Sequence, residues 1–457
     1  MLLEKIGSLN DSDMSNQLEL IEMTIVLQSH VENELMNGEA KEYGSCVEGI
    51  DSAGKEKLLE LAAGIGKRLL AGAVDFVNDD KGWYMACVTT DGSLSWMIQP
   101  ADMYLYSGIM GIAVYFHLLF KYTGEEKYGR AALQLDRQLF AYTDRMRASG
   151  TDELATGIYN GESSIVYGYL YLYKAAGKEE YLEYARRHGE IVARCVRKDK
   201  NFDLLDGLAG AVHAFLLLYR CTEEGTWLTA AEEAACRLLE AAIEAGEGLC
   251  WKNGLSEAAL LGMSHGNAGI MTAFAALYEA SGRQEYLDAS RQSFLYEDAC
   301  YDSSLKNWTD FRAKEGVDRR QADTVAWCHG AGGILLSRIM ASKSTAGVLE
   351  DILEPDMKRA SDKLVEKCVR EGMCLCHGTM GNLLMLQEYC KYIKNETAER
   401  YKWKNVQYVY EKLKGGLSHL LPQERYNPGL MSGYAGIGYA LLCIYDEELA
   451  DVLCLEV

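Results

Sequence analysis

The stretch Ala326-Trp327-Cys328-His329-Gly330-Ala331-Gly332-Gly333 places clustered glycines at the start of a long apolar run. Six other stretches repeat this arrangement, with Gly-x-x-Gly or a degenerate form of it before an apolar run. The seven first glycines are 46 to 64 residues apart and lie at Gly108, Gly161, Gly207, Gly266, Gly330, Gly378 and Gly433. Such an interval accommodates two helices and their loops, so the repeat predicts seven helical hairpins.

Two kinds of segment alternate within the repeats. The runs after the motifs, such as 211–218 and 437–444, are apolar nearly all round, which is typical of buried helices. The segments between them, such as 179–194 and 358–370, are amphipathic. This alternation predicts an all-α fold, a closed α/α toroid of seven helical hairpins in two layers. An open α-solenoid is the competing architecture. Closure is favoured because it would gather the polar motif residues in one cup.

The chain start differs from the repeats. Asp11-Ser12-Asp13 can cap a helix, and Leu18, Ile21 and Ile25 follow helical spacing. We therefore expect an N-terminal helical appendage over residues 1–55 and the toroid over residues 56–457.

Composition narrows the class of protein. The net charge of -21 disfavours binding to nucleic acid or to an anionic membrane surface. The N-terminus lacks the pattern of a secretory signal, and no apolar window is long enough for a membrane span. The 14 cysteines are scattered through apolar helical patterns, which is typical of a reduced protein. We therefore expect a cytoplasmic protein.

A Cys-His-Gly triplet occurs twice, as Cys328-His329-Gly330 and Cys376-His377-Gly378, at equivalent positions of two repeats. Thiolates and neutral imidazoles are preferred zinc ligands, so the pair predicts one metal ion held across two distant segments. The simpler interpretation is two buried cysteines and a core histidine. Spacing leaves open whether His329 also binds, which would close a four-ligand site.

These triplets, with Ser264-His265-Gly266 on a sevenfold glycine repeat, resemble the lanthionine cyclase family. The similarity is greatest to the C-terminal cyclase domain of class II lanthipeptide synthetases. It implies zinc held by Cys328, Cys376 and His377, with a substrate cysteine thiol as fourth ligand. The implied reaction adds that thiol to a dehydroalanine or dehydrobutyrine of the same peptide, which forms a (methyl)lanthionine thioether.

The resemblance also implies an acid for the last step. His265 matches the family's active-site histidine and is the candidate proton donor, since imidazole titrates near neutrality. The alternative is a capping or core histidine. Asp203 matches a family aspartate that orients the histidine or contacts substrate, and Asp206 lies close enough in sequence to compete for that role.

The chain also departs from the family pattern. Thr324 stands four residues before the first zinc cysteine, where some members carry arginine, and neither Arg319 nor Arg320 is assigned to that role. Residues 1–55 are too few for a dehydratase domain, so we expect a dehydrated precursor peptide as partner and a separate dehydratase as its source. Two other functions remain open: another toroid zinc enzyme such as a prenyltransferase-like protein, or a non-catalytic peptide- or thiol-binding remnant of a synthetase.

Overall fold

Helices dominate the computed structural model, which describes residues 11–28, 52–75, 80–88, 96–312, 323–418 and 420–457. In chain order the helices are α1 (Asp11–Gln28), α2 (Ser52–Ala71), α3 (Ile109–Thr123), α4 (Glu126–Ser149), α5 (Glu162–Ala176), α6 (Glu179–Cys195), α7 (Leu208–Thr222), α8 (Gly225–Glu240), α9 (Asn267–Ser281), α10 (Gln284–Ala299), α11 (Ala331–Ser344), α12 (Glu350–Glu366), α13 (Thr379–Ile393), α14 (Glu396–Leu413), α15 (Pro422–Arg425) and α16 (Tyr434–Tyr445). None of the helices in the described ranges is long and apolar enough to cross a bilayer.

In the described parts of the connections between helices, short strands form four antiparallel pairs. The pairs are β1 (Val74–Asp75) with β2 (Lys81–Gly82), β3 (Tyr84–Val88) with β4 (Trp96–Pro100), β5 (Ile243–Ala245) with β6 (Gly248–Cys250), and β7 (Tyr301–Asp302) with β8 (Asn307–Trp308). In the longest pair, Tyr84 is opposite Pro100 and Val88 is opposite Trp96.

The seven inner helices are α3, α5, α7, α9, α11, α13 and α16, and each begins directly after the first glycine of a motif. The first two or three turns of each are buried on all sides. Even the degenerate motif, with Gly161 before Glu162, starts a helix in this way. The repeat in the sequence is therefore a repeat of buried helix starts.

An outer helix packs against each inner helix. The outer helices α4, α6, α8, α10, α12 and α14 each contact the inner helix that precedes them in the chain. The seventh outer helix, α2, comes from the start of the chain and packs against α16. Each inner helix also contacts the next one, and α16 contacts α3. The ring is closed, so the predicted toroid of seven hairpins is confirmed and the open solenoid was the wrong alternative.

The motif loops meet at one end of the ring. Two positions before each motif glycine, the backbone N–H donates to the carbonyl oxygen of the equivalent residue in the next loop, over 2.8 to 3.4 Å. The last loop donates back to the first, which completes a circle. We call this set the loop circle; its members are Tyr106, Tyr159, Leu205, Ser264, Cys328, Cys376 and Met431.

Helix α1 confirms the helix predicted for the chain start, but its contacts differ from the expected face. Met23 and Leu27 are buried against Ala86 and Tyr426, whereas the stripe of Leu18, Ile21 and Ile25 is more than half exposed. The stretch from Asn37-Gly38 to Ala53-Gly54 is predicted as a loop from its sequence; most of it lies outside the described residues, but Ala53 and Gly54 belong to α2, so the loop ends earlier than predicted. The division at residue 55 stays a prediction, and α2 already begins at Ser52.

Candidate metal centre

The three ligands predicted from the sequence lie together on adjacent loops. Cys328 and Cys376 are neighbours in the loop circle, and the Cys376 carbonyl oxygen accepts from the N–H groups of Trp327 and Cys328. The Sγ atoms of both cysteines and a ring nitrogen of His377 lie within 4.8 Å of one another. Because Cys376 and His377 lie in a loop ahead of α13, both side chains of this adjacent pair can reach one point.

The electrostatics of this cluster suit a metal ion. A hydrogen bond between the two thiols lowers the pKa of Cys328 to about 6 and raises that of Cys376. Burial lowers the pKa of the His377 imidazole, which keeps a nitrogen lone pair available. Thiolate and neutral imidazole at these separations are the donor set of a zinc site, so the residues fit that ion.

His329 stands apart from the cluster. Its Nδ1–H donates to the Leu261 carbonyl oxygen at 3.0 Å, and burial lowers its pKa to about 3. Its Nε2 atom has no hydrogen-bond partner in the described part of the chain. Among the residues that the structure describes, the donor atoms that converge at this point are those of Cys328, Cys376 and His377. Within the described residues the centre thus offers three ligands, which leaves a fourth position for another group.

The predicted acid and its aspartate also meet. His265 Nδ1 lies 2.8 Å from Asp203 Oδ2 and 3.9 Å from Asp206 Oδ2, so Asp203 is the direct partner. Burial alone would lower the pKa of His265, but the hydrogen bond and charge of Asp203 outweigh it and raise that pKa. The His265 and His329 rings are 6.4 Å apart, centroid to centroid. This places the pair beside the loop that carries Cys328.

An arginine that no motif indicated acts electrostatically on the same centre. Arg312 follows the β7–β8 pair, and its guanidinium grips Asp310, with Nε 3.0 Å from Oδ1 and Nη2 2.7 Å from Oδ2. Thr324 donates its hydroxyl to the same carboxylate at 3.1 Å. The positive charge helps to hold the pKa of Cys328 down. Arg319 and Arg320 lie outside the described residues.

Two further side chains support the loop that carries Cys376. Tyr106 comes from the first motif loop; burial raises the pKa of its hydroxyl well above the usual range, and its interaction with the Cys376 thiol raises that pKa further. The Glu424 carboxylate accepts from the N–H groups of Met373 and Cys374 at 2.6 and 2.8 Å. Burial raises the pKa of Glu424 to about 7. Like the two cysteines, Tyr106 lies two residues before a motif glycine. This equivalent position in the repeat could have identified Tyr106 from the sequence.

Known proteins resemble this chain both in sequence and in fold. The sequence model of the lanthionine synthetase C-like protein family matches residues 99–457. The lacticin 481/lactococcin biosynthesis protein LcnDR2 of Lactococcus lactis subsp. lactis is 32% identical over 191 residues, which are 39% of this chain and 20% of that protein. The matched part thus spans only a fifth of the length of this relative. The nisin cyclase structure aligns with a TM-score of 0.57 at 14% identity, over 87% of this chain and 95% of that one, and this likeness shows the fold.

Proposed function

We propose that the chain, which belongs to the lanthionine synthetase C-like family, is a zinc-dependent lanthionine cyclase. In this proposal a cysteine thiol of a peptide adds to a dehydroalanine or dehydrobutyrine of the same peptide to form a thioether ring. The observation that carries the proposal is the convergence of Cys328, Cys376 and His377 beside the His265–Asp203 pair.

In the proposed reaction, a zinc ion would activate the peptide thiol, and side chains would hold the ion. A zinc ion held by Cys328, Cys376 and His377 would lower the pKa of a peptide thiol, so that thiolate is available at neutral pH. Burial keeps His377 neutral, which suits a ligand rather than a proton donor. The cluster lies at the end of the ring where the motif loops meet, because all its members come from those loops.

His265 is the proposed proton donor. Addition of the thiolate to the β-carbon leaves an electron pair on the enolate, and the α-carbon must then gain a proton. The Asp203 carboxylate accepts from Nδ1–H of His265 and raises the pKa of the ring, which favours the protonated form that a proton donor needs. Asp203 thereby fixes the orientation of the ring and sustains its charged form.

The partners follow from the chemistry. We propose a dehydrated precursor peptide as substrate and a separate dehydratase as the source of its dehydroamino acids. A thiol-dependent site and the free cysteines of the described residues suit a reducing compartment, so a cytoplasmic location stays our proposal.

Metal content is the first test. About one zinc per chain is expected for the wild type and for the Cys390→Ala control, which removes a buried cysteine of α13 outside the cluster. Cys376→Ala should lose the metal. Incubation with a dehydrated, cysteine-containing peptide should then yield thioether rings only in the two zinc-containing proteins. A folded, reduced wild type without zinc, or with zinc but without ring formation, would overturn the proposal.

A further inference from the structure

We infer that Arg312 donates a hydrogen bond to the carbonyl oxygen of the dehydro residue and stabilises the negative charge that develops there. This inference rests on the proposed cyclase function. It concerns a residue that lies outside the glycine motifs, in the segment between β8 and α11.

Arg312 is held in one orientation. Two guanidinium nitrogens bind both oxygens of Asp310, and the Asp310 carboxylate also accepts from the Arg312 backbone N–H at 3.1 Å. The Asp310 side chain is 6% exposed, so this carboxylate is fixed inside the protein. A planar guanidinium that donates two hydrogen bonds to one carboxylate presents its remaining N–H groups in a fixed direction.

The Asp310–Arg312 segment is joined to both loops of the site. Thr324, four residues before Cys328, donates its hydroxyl to Asp310. On the other side, Ser256 donates its hydroxyl to the Phe311 carbonyl oxygen at 3.1 Å.

The segment that carries Ser256 is in turn joined to the loop of the proposed acid, because the Asn253 amide donates to the His265 carbonyl oxygen at 3.0 Å. Arg312 is thus anchored between the Cys328 loop and the His265 loop. Its charge acts on Cys328 and Cys376, which agrees with that position.

One nitrogen of the Arg312 guanidinium remains available to donate a hydrogen bond. The Arg312 side chain is 27% exposed, and its bonds to described residues use Nε and Nη2. Nη1 is therefore the group that can donate to a substrate. Negative charge develops on the carbonyl oxygen during the addition, and a fixed cationic donor stabilises that charge.

The peptide thiol loses its proton to solvent, and the thiolate sulfur forms a bond to the β-carbon. The π bond between the α- and β-carbons breaks, and its electron pair forms a π bond between the α-carbon and the carbonyl carbon. The carbonyl π pair moves onto the oxygen, where Arg312 Nη1–H donates to it. His265 then delivers its proton to the α-carbon, the carbonyl re-forms, and His265 regains a proton from solvent.

The test compares Arg312→Gln and Arg312→Lys with the wild type, and uses Arg283→Gln as a control at an exposed surface arginine. Three quantities are measured: zinc per chain, the Kd of a peptide whose dehydro residues are replaced by alanine, and the single-turnover rate of ring formation. For Arg312→Gln we expect zinc content and Kd to be unchanged and the rate to fall about 100- to 1000-fold, as on loss of an oxyanion donor. Arg312→Lys should recover part of the rate, since lysine keeps the positive charge but lacks the planar guanidinium that donates through two nitrogens.

Two results would overturn the assignment. One is a rate for Arg312→Gln within about threefold of the wild type and the control. The other is a loss of rate that parallels a loss of zinc, which would make Arg312 a support for the metal loops instead. A zinc-containing wild type that forms no rings would refute the proposed function itself and the assignment with it.

Discussion

At the scale of single residues, the His265–Asp203 contact determines how the proposed acid responds to pH. An aspartate 2.8 Å from Nδ1 stabilises the charged imidazolium, and Asp206 adds a weaker contribution from 3.9 Å. The raised pKa means that His265 holds its proton above the pH at which a free histidine would lose it. At a given pH, a larger fraction of His265 therefore carries the proton that an acid must donate.

The first prediction concerns Asp203→Asn. Ring formation should decline as pH rises through the raised pKa of His265, because the imidazolium is the active form. Without the Asp203 charge that pKa falls, so the declining limb of the pH–rate profile should move to lower pH. Profiles of kcat/KM for both proteins would show the shift. Asp206→Asn is the matched control and should move the limb less; an equal or absent shift would contradict the role of Asp203.

A second residue-scale prediction concerns Tyr106, whose hydroxyl interacts with the Cys376 thiol. A hydrogen bond to a ligand atom tunes and orients the metal site, and its loss typically weakens metal affinity by about 10- to 100-fold. Tyr106→Phe should show this in a competition titration with a zinc chelator. Tyr171→Phe removes a tyrosine hydroxyl bond to the Ala450 carbonyl oxygen instead, and should leave zinc affinity unchanged.

Sequence reasoning reached only part of this residue-level picture. Cys328, Cys376 and His377 could be grouped because they occupy equivalent places in a repeat, and equivalence in a closed ring implies proximity. Arg312 could not be found in this way, since it lies outside the repeated glycine motifs from which the site was predicted. The choice between Asp203 and Asp206 also required a distance, because both precede the same motif glycine.

At the scale of elements, the motif glycines permit close contact between loops and helix starts. A Cβ atom at Gly436 would lie 1.7 Å from the Leu430 carbonyl oxygen. At Gly330 a Cβ would lie 1.7 Å from the Thr324 carbonyl oxygen, and the φ of 75° is itself unfavourable for other residues. Each loop thus folds directly over the first turn of the helix that follows.

Two alanine substitutions test this interpretation on helices that pack together. Gly436→Ala in α16 should destabilise the protein by about 1 to 3 kcal/mol or more, because the methyl group overlaps backbone. Gly64→Ala in α2 meets no atom within 4 Å and should stabilise the protein by about 1 kcal/mol, since alanine favours helix. Denaturant unfolding would measure both. A similar effect of the two changes would show that helix propensity, not close contact, selects these glycines.

The elements that the sequence did not reveal are the short strands. The regular interval predicted helices well because apolar runs and amphipathic segments are long. Pairs such as β5 with β6 are three residues per strand, too short for an alternating pattern to be recognised. These pairs lie in the connections between repeats, and the β7–β8 connection is the one that leads to Arg312.

At the scale of the whole molecule, closure depends on both ends of the described toroid. Helix α2, near the start of the chain, is the outer partner of α16, near its end. The loop circle closes at the same place, where Met431 donates to the Tyr106 carbonyl oxygen at 2.8 Å. A ring of this kind has no free end repeat, unlike an open solenoid, whose repeats contact only their neighbours.

Because the ring is closed, a substitution at the contact between α2 and α16 should also affect the loops that carry the proposed metal ligands. Ile65 in α2 is 2% exposed, and Ile65→Ala should cost about 2 to 5 kcal/mol by removing buried apolar contacts. Because no repeat can separate without opening the circle, helix content and bound zinc should be lost in one shared transition at lower denaturant. Leu133→Ala, at a 49% exposed position of α4, should change stability by less than about 0.5 kcal/mol. An Ile65→Ala protein that loses part of its helicity first while zinc remains bound would show instead that α2 unfolds alone and that the ring is not one cooperative unit.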